Sequence, residues 1–227
     1  MTVRACVFDL DDTLYLERDY VRSGFQAAGA WLVAEHGIPG LAEVAWRRFE
    51  EGCRQTVFDE ALRELGHAPE PVLIRQLVEV YRTHAPALTL QPDAAWVLDR
   101  LAAMGLPVGL LTDGPLVSQE RKVAALGLAS RLAALVYTDR YGRAGWKPCR
   151  RGFRELEREL GVSGRACVYV GDNPAKDFIA PRQLGWLTVR LRRMQGEHAR
   201  VAAAPGTDAH HTIETLEALP QVALADA

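Results

Sequence analysis

The spacing of apolar positions along this chain changes period twice. Residues 3–8 form a short apolar run, the pattern of a strand buried on both faces. The run stops at Asp9, Asp11 and Asp12, followed by Thr13. From 16 to 90 the period is helical. A predicted helix at 19–35 carries Tyr20, Phe25, Ala28, Trp31 and Leu32 at helical spacing and stops at Gly37. Helices at 41–51 and 57–65 stop at Gly52 and Gly66, and a fourth covers 71–81. From Pro92 the pattern alternates. Helices at 92–104, 115–126, 150–160 and 174–184 are interleaved with apolar strands at 106–111, 132–137, 166–170 and 186–191. Pro92, Pro115 and Pro174 open three of these helices, and Gly105, Gly127, Gly161 and Gly185 follow the four, the asymmetry helices show. Regular alternation implies right-handed crossovers and a parallel sheet covered on both faces. The expected class is therefore α/β: a doubly wound parallel-sheet core made of 1–15 and 91–227, with an α-helical domain inserted at 16–90. The stretch 195–227, Ala-rich with one amphipathic piece at 212–219, reads as a surface tail around a final small element.

Composition narrows the picture without changing it. With 227 residues, 48% of them hydrophobic, the chain can bury a sizeable core. A formal net charge of −2 carries no signature of nucleic acid or an anionic membrane surface as a partner. No apolar run approaches the roughly 18 residues of a spanning helix, and the N-terminus enters a strand without a signal peptide. Cys6, Cys53, Cys149 and Cys167 form no CxxC pair. Cys6 and Cys167 fall inside strand runs, where a reduced, buried thiol is expected. The expected location is cytoplasmic.

Candidate chemistry sits at the strand ends. The runs beginning at Val3, Leu106, Leu132 and Ala166 terminate in Asp9, Thr112, Asp139 and Asp172. In a parallel sheet those carboxyl ends share one edge, where open α/β sheets bind ligands. Taken alone, the Asp9–Asp11–Asp12 triplet reads equally as a solvated acidic loop. Acids and hydroxyls at successive strand ends turn it into a site. Asp9 and Asp172, with Asp177 a helical turn further on, make a hard, all-oxygen cluster suited to Mg2+. No His or Cys pair has zinc spacing, and the adjacent His210 and His211 read as solvated surface. Lys147, before Pro148 at a helix entrance, offers a cation to an incoming anion.

These residues resemble the motifs of the haloacid dehalogenase-like (HAD) superfamily. Asp9-Leu10-Asp11-Asp12-Thr13-Leu14 is similar to its first motif, Thr112 in Leu-Leu-Thr-Asp-Gly to its second, and Lys147 in Trp-Lys-Pro to its third. Gly171-Asp172-Asn173 through Asp177 is similar to the fourth. The motifs occur in order and span Val3 to about Arg190. The resemblance implies a Rossmann-like core, with 16–90 in the cap position of the haloacid dehalogenase and phosphoglycolate phosphatase branch. It implies phosphoryl transfer through an aspartyl-phosphate, with Asp9 as nucleophile and Asp11 as acid and then base. Asp11 is expected to stay protonated beside Asp9 through like-charge coupling. Thr112, Asp113 and Lys147 would bind phosphate, Lys147 also neutralising Asp9. Mg2+ would be held by Asp9, the Asp11 carbonyl and Asp172, with Asp177 as ligand or support. Asp12, pointing the other way along the strand tip, reads as structural.

Dehalogenases of this family lack an acid two residues after the nucleophile and need no magnesium, so Asp11, Asp172 and Asp177 favour a phosphatase. The alternatives are a phosphomutase, a 2-haloacid dehalogenase-like hydrolase and a non-catalytic binding protein that retains the fold. Buried charges at strand ends have no use in a purely structural sheet. Residues 137–148 look like phosphatases of sugar and nucleotide metabolism, so the implied substrate is a small phosphomonoester, a sugar phosphate or nucleotide-like. Cap arginines such as Arg18, Arg22, Arg47 and Arg48 read mostly as a solvated face. No oligomeric state follows from the sequence.

Overall fold

The structure, a computed structural model, describes residues 2–224. The chain divides into two compact units, Met1–Glu17 with Thr89–Ala227, and Arg18–Leu88. In the first, six strands form one sheet in the order β3-β2-β1-β4-β5-β6. They are β1 (Ala5–Phe8), β2 (Val108–Thr112), β3 (Ala134–Tyr137), β4 (Cys167–Gly171), β5 (Leu187–Leu191) and β6 (His211–Ile213). Every neighbouring pair is parallel. The four residues of β1 are buried throughout, as a central strand covered on both faces requires.

The chain order reverses at β1, which lies between β2 and β4. That is the topological switch point where α/β sheets open a crevice beyond the strands' carboxyl ends. Phe8 stands opposite Leu110 on one side and Val170 on the other. This register brings Asp9, Thr112 and Asp172 to a common edge. The helices α5 (Pro92–Ala103), α6 (Leu116–Ala125), α7 (Arg150–Leu160) and α8 (Ile179–Gln183) connect the strands. On one side of the sheet, Phe153 meets Tyr169 and Trp186 edge to face, with centroids 5.0 and 5.6 Å apart, an arrangement aromatic quadrupoles favour.

One expectation fails here, and another gains detail. The helix expected at 174–184 is only α8, because residues 172–178 fold as turns around their own side chains. The Asp177 carboxylate accepts the Asn173 N–H at 2.9 Å, and Asn173 Oδ1 accepts that of Ala175 at 2.9 Å. Such local bonds compete with helix. The final small element expected in the tail is present as β6, which pairs with β5. At three residues, β6 is too short to show a period.

The second unit contains most of α1 (Glu17–His36), with α2 (Leu41–Glu50), α3 (Val57–Glu64) and α4 (Pro71–Thr83). It has its own apolar core, including Phe25, Leu32, Leu41, Phe58, Leu62 and Leu77. The Phe25 ring lies 5.7 Å from both Phe58 and Tyr81, so these aromatics are packing residues. Among the described residues, no helix is long and apolar enough to cross a membrane.

Candidate active site

Asp9 is the first residue past β1, and its N–H donates to the Val170 carbonyl at 2.8 Å, fixing the strand tip against β4. Its side chain meets Lys147, whose Nζ lies 2.5 Å from Asp9 Oδ1, 2.8 Å from Asp177 Oδ1 and 3.1 Å from the Tyr169 hydroxyl. Lys147 and Asp177 side chains are 0% exposed. Asp177 Oδ1 is an ion-pair partner of Lys147 but has no hydrogen bond of its own. Asp9, Asp172 and Asp177 offer oxygen atoms within 4.8 Å of one another.

The electrostatics follow from crowding. Burial, then the proximity of Asp177, pushes the Asp9 carboxyl up to about 7, against the pull of Lys147. Burial, Asp177 and Asp9 hold Asp172 well above the usual carboxylate range. Burial works against the Lys147 charge, but Asp177 and Asp9 together carry its pKa well above the ordinary value. Three buried carboxylates around one ammonium leave a deficit of positive charge. With an unbonded buried oxygen and only hard donors, the cluster fits a divalent cation such as Mg2+.

Asp11 has a separate setting. Its Oδ1 accepts bonds from Lys122 Nζ at 2.7 Å and from the Tyr15 hydroxyl, and its Oδ2 accepts one from Gln119 Nε2 at 3.0 Å. Burial raises its pKa, but Lys122 and these hydrogen bonds outweigh burial and leave it below the usual range. Asp11 is expected to stay protonated beside Asp9, but Lys122 and these hydrogen bonds favour its charged form, while burial raises the pKa of Asp9. Like-charge coupling decides between two acids only when their other neighbours are equivalent, and Asp11 has its own counter-ion. Glu17 nearby is pushed up to about 8 by burial and then by Asp11.

Thr112 is the last residue of β2, and its hydroxyl accepts a second bond from Gln119 Nε2. The Asp113 carboxylate accepts bonds from the Lys147 N–H at 3.0 Å, the Thr138 hydroxyl at 2.7 Å and Lys176 Nζ at 3.0 Å. Burial opposes its ionisation, but Lys147 and Lys176 keep its pKa below the usual range. An ionised, acceptor-only carboxylate cannot donate to phosphate. At this position only the backbone N–H can.

Asp139 is not part of the crevice wall. It accepts the Leu116 N–H at 3.0 Å and the Trp146 indole N–H at 3.1 Å. Asp12 has φ 54° and accepts the N–H groups of Glu17 at 2.9 Å and Glu197 at 2.8 Å. It ties the loop after β1 to the loop after β5. Arg193 adds a second tie, donating to the Thr13 carbonyl and forming a forked pair with Asp93 at 2.8 and 3.0 Å. The same loop brings His198 to Asn173, with Nδ2 to Nε2 at 3.0 Å. The resulting crevice, about 270 Å³, is lined by Asp9, Asp11, Glu17, Trp146, Asp172 and Lys176 among others.

Gln119, Tyr15, Glu17 and the 193–198 loop carry no motif that points to a site. Lys122 and Lys176 do carry a signal. The chain has 27 Lys and Arg, of which only Lys122, Lys147 and Lys176 are lysine. Each of the three meets a different acid of the first two motifs: Asp11, Asp9 and Asp113 respectively.

The sheet has its switch point at β1 and carries a buried Asp–Lys–Asp cluster at its strand ends, the place where doubly wound α/β enzymes bind ligands. The haloacid dehalogenase-like hydrolase family model matches residues 3–185, and the chain belongs to that family. It is 33% identical over 201 residues to glyceraldehyde 3-phosphate phosphatase of Methanopyrus kandleri, covering 84% of each chain. It is 35% identical over 163 residues to phosphoserine phosphatase of Thermus thermophilus, covering 71% of this chain and 63% of that one. A HAD-hydrolase of Bacillus subtilis, solved with magnesium bound, shares the fold at TM-score 0.70 and 20% identity, covering 98% of this chain and 99% of that chain.

Proposed function

We propose that this protein is a magnesium-dependent phosphatase that hydrolyses a small organic phosphomonoester through an aspartyl-phosphate. What carries the reading is the buried Lys147 ammonium held between Asp9 and Asp177, with Asp11 in a separate cationic setting two residues from the nucleophile. The Asp9 carboxylate attacks phosphorus as the ester oxygen departs on the far side, and a proton from Asp11 reaches that oxygen. A water then attacks phosphorus, gives its proton to Asp11 and releases Asp9. Lys122 favours the charged form of Asp11, and the negative charge of an arriving phosphate favours its protonation. Thr112 Oγ1, the Asp113 N–H and Lys147 hold the phosphoryl oxygens. Asp9, the Asp11 carbonyl and Asp172 would hold the magnesium, with Asp177 as ligand or support. When bound, the metal neutralises phosphoryl charge and orients the group for in-line displacement.

The phosphatase names of the relatives and the modest crevice support a small substrate. We propose that Arg18–Leu88, in the cap position of this family, is the cap that sets specificity. The four free cysteines are consistent with work in the reducing cytoplasm. The test is phosphate release from p-nitrophenyl phosphate and a panel of sugar phosphates, nucleotides and phosphoserine, with magnesium or chelator. The wild type turns over only with magnesium, and Asp9→Asn retains less than about a thousandth of that rate. No release from any ester by folded, magnesium-supplied protein sinks the reading.

A further inference from the structure

Lys122 and Gln119 lie one turn apart on α6, outside every motif that marks the site, and both are buried. A buried ammonium is costly unless it is paired and hydrogen-bonded. On this chain, where cations are otherwise almost all arginine, a buried lysine is the exception. Lysine presents a compact point charge, whereas arginine presents a planar fork.

The geometry around Asp11 shows what that point charge does. An ionised carboxylate offers about four lone-pair positions, two on each oxygen. Lys122 and Tyr15 both bond Oδ1, while Gln119 bonds Oδ2. Oδ1 therefore has its two positions taken, and Oδ2 has one left. Gln119 also bonds the Thr112 hydroxyl, so its amide is held between two residues of the site. Asp11 itself lines the crevice.

We propose that Lys122 and Gln119 are positioning residues that fix the Asp11 carboxyl group so that Oδ2 is the atom that exchanges a proton with the reactants. This rests on the phosphatase reading above. In the first step the phosphorus–ester oxygen bond breaks as the bond to Asp9 forms, and the proton on Oδ2 passes to the departing alkoxide. In the second step the attacking water passes a proton to Oδ2 as its oxygen bonds phosphorus and the bond to Asp9 breaks. Oδ1 stays bound to Lys122 and Tyr15 throughout.

Such a role has a signature that loose packing would not produce. An alkyl phosphate needs its leaving oxygen protonated, whereas p-nitrophenolate leaves without a proton. The experiment compares kcat/KM for the best alkyl substrate of the panel and for p-nitrophenyl phosphate, in wild type, Lys122→Met and Lys122→Arg. kcat/KM reports steps up to departure of the leaving group, so hydrolysis of the phosphoenzyme does not enter. In Lys122→Met the alkyl value falls about 100-fold and the p-nitrophenyl value less than about 10-fold. Lys122→Arg, which keeps the charge, recovers part of the alkyl loss. If Lys122→Met does not fold, Gln119→Leu, which removes the bond to Oδ2, carries the same comparison, with a shift in the ratio of about threefold or more. Equal falls on both substrates, or none, overturn the inference while leaving the phosphatase reading intact. No wild-type turnover sinks that reading and this inference with it.

Discussion

The two units use positive charge in opposite ways. In the α/β unit each of the three lysines meets an acid of the site, and the Lys147 side chain is fully buried. In the helical unit every Lys or Arg is an arginine. There Arg18 pairs with Glu50 while both side chains remain 40% and 51% exposed. Arg18 and Arg22 each place a guanidinium 5.3 Å from the Trp46 ring centroid. Lys122 and Lys147, whose side chains are 5% and 0% exposed, have lost their water and depend on their partners, while Lys176 at 33% keeps part of its own. Those of the helical unit keep their water and depend on little. The same formal charge is a site component at the buried lysines of the α/β unit and a surface property at the arginines of the helical unit, as it also is at Arg131 and Arg140 of the α/β unit.

The sharpest break of this comparison is Lys147→Met. It removes the ammonium shared by Asp9 and Asp177, leaving buried carboxylates without their cation, a change that costs about 3–5 kcal/mol. Urea unfolding at pH 8 in chelator shows the loss, and saturating magnesium restores part of it by binding the folded state. An unchanged unfolding midpoint would mean that the buried cluster is no more demanding than the surface pairs.

A finer test uses pH. The Asp9 carboxyl lies at about 7 in the folded protein, against about 4 in an unfolded chain. Between those values the folded state holds a proton that the unfolded state has released. Stability in chelator therefore falls as pH rises from about 4 to about 7. Glu17, raised to about 8, and Asp172, raised by burial and its neighbours, act in the same sense. His198, whose pKa burial lowers, acts in the opposite one. Asp11 and Asp113, with lowered pKa values, contribute stability that is lost only as pH falls below about 4. Comparing wild type with Asp9→Asn isolates the Asp9 contribution: the wild type shows the steeper fall, and magnesium flattens it. Parallel stability curves for the two proteins would remove the crowded-carboxylate account.

How much of this was legible in the sequence follows from the range of each interaction. Strand–helix alternation and proline–glycine punctuation are local, and they place β1 to β5 and α5 to α7 within a few residues. The positions of Asp9, Thr112, Lys147 and Asp172 at strand ends and turns follow from the same local pattern. Contacts between distant segments were not legible. Lys122 and Asp11 are 111 residues apart, and Glu197 and Asp12 are 185 apart. Asp139 reads as a strand-end acid like the others, but it is occupied by Leu116 and Trp146 instead. The pull of Lys122 toward the charged form of Asp11 is hidden for the same reason, since only folding brings that lysine near. The scarcity of lysine was visible from the start, and it is the sequence feature that points to Lys122.

The smallest expected effect sharpens the comparison from the other side. Arg18→Ala deletes an ion pair whose two side chains remain 40% and 51% exposed, and a guanidinium over Trp46. Exposed pairs gain little because water solvates the separated charges nearly as well and salt screens the remainder. The guanidinium–ring contact adds a similarly modest amount at an exposed site. Thermal unfolding of Arg18→Ala should shift by no more than about 3 °C, and the shift should shrink in high salt. A loss comparable to that of Lys147→Met would place Arg18 among the charges that depend on their partners. The contrast between the buried lysines of the α/β unit and the solvated arginines of the helical unit would then fail at that residue.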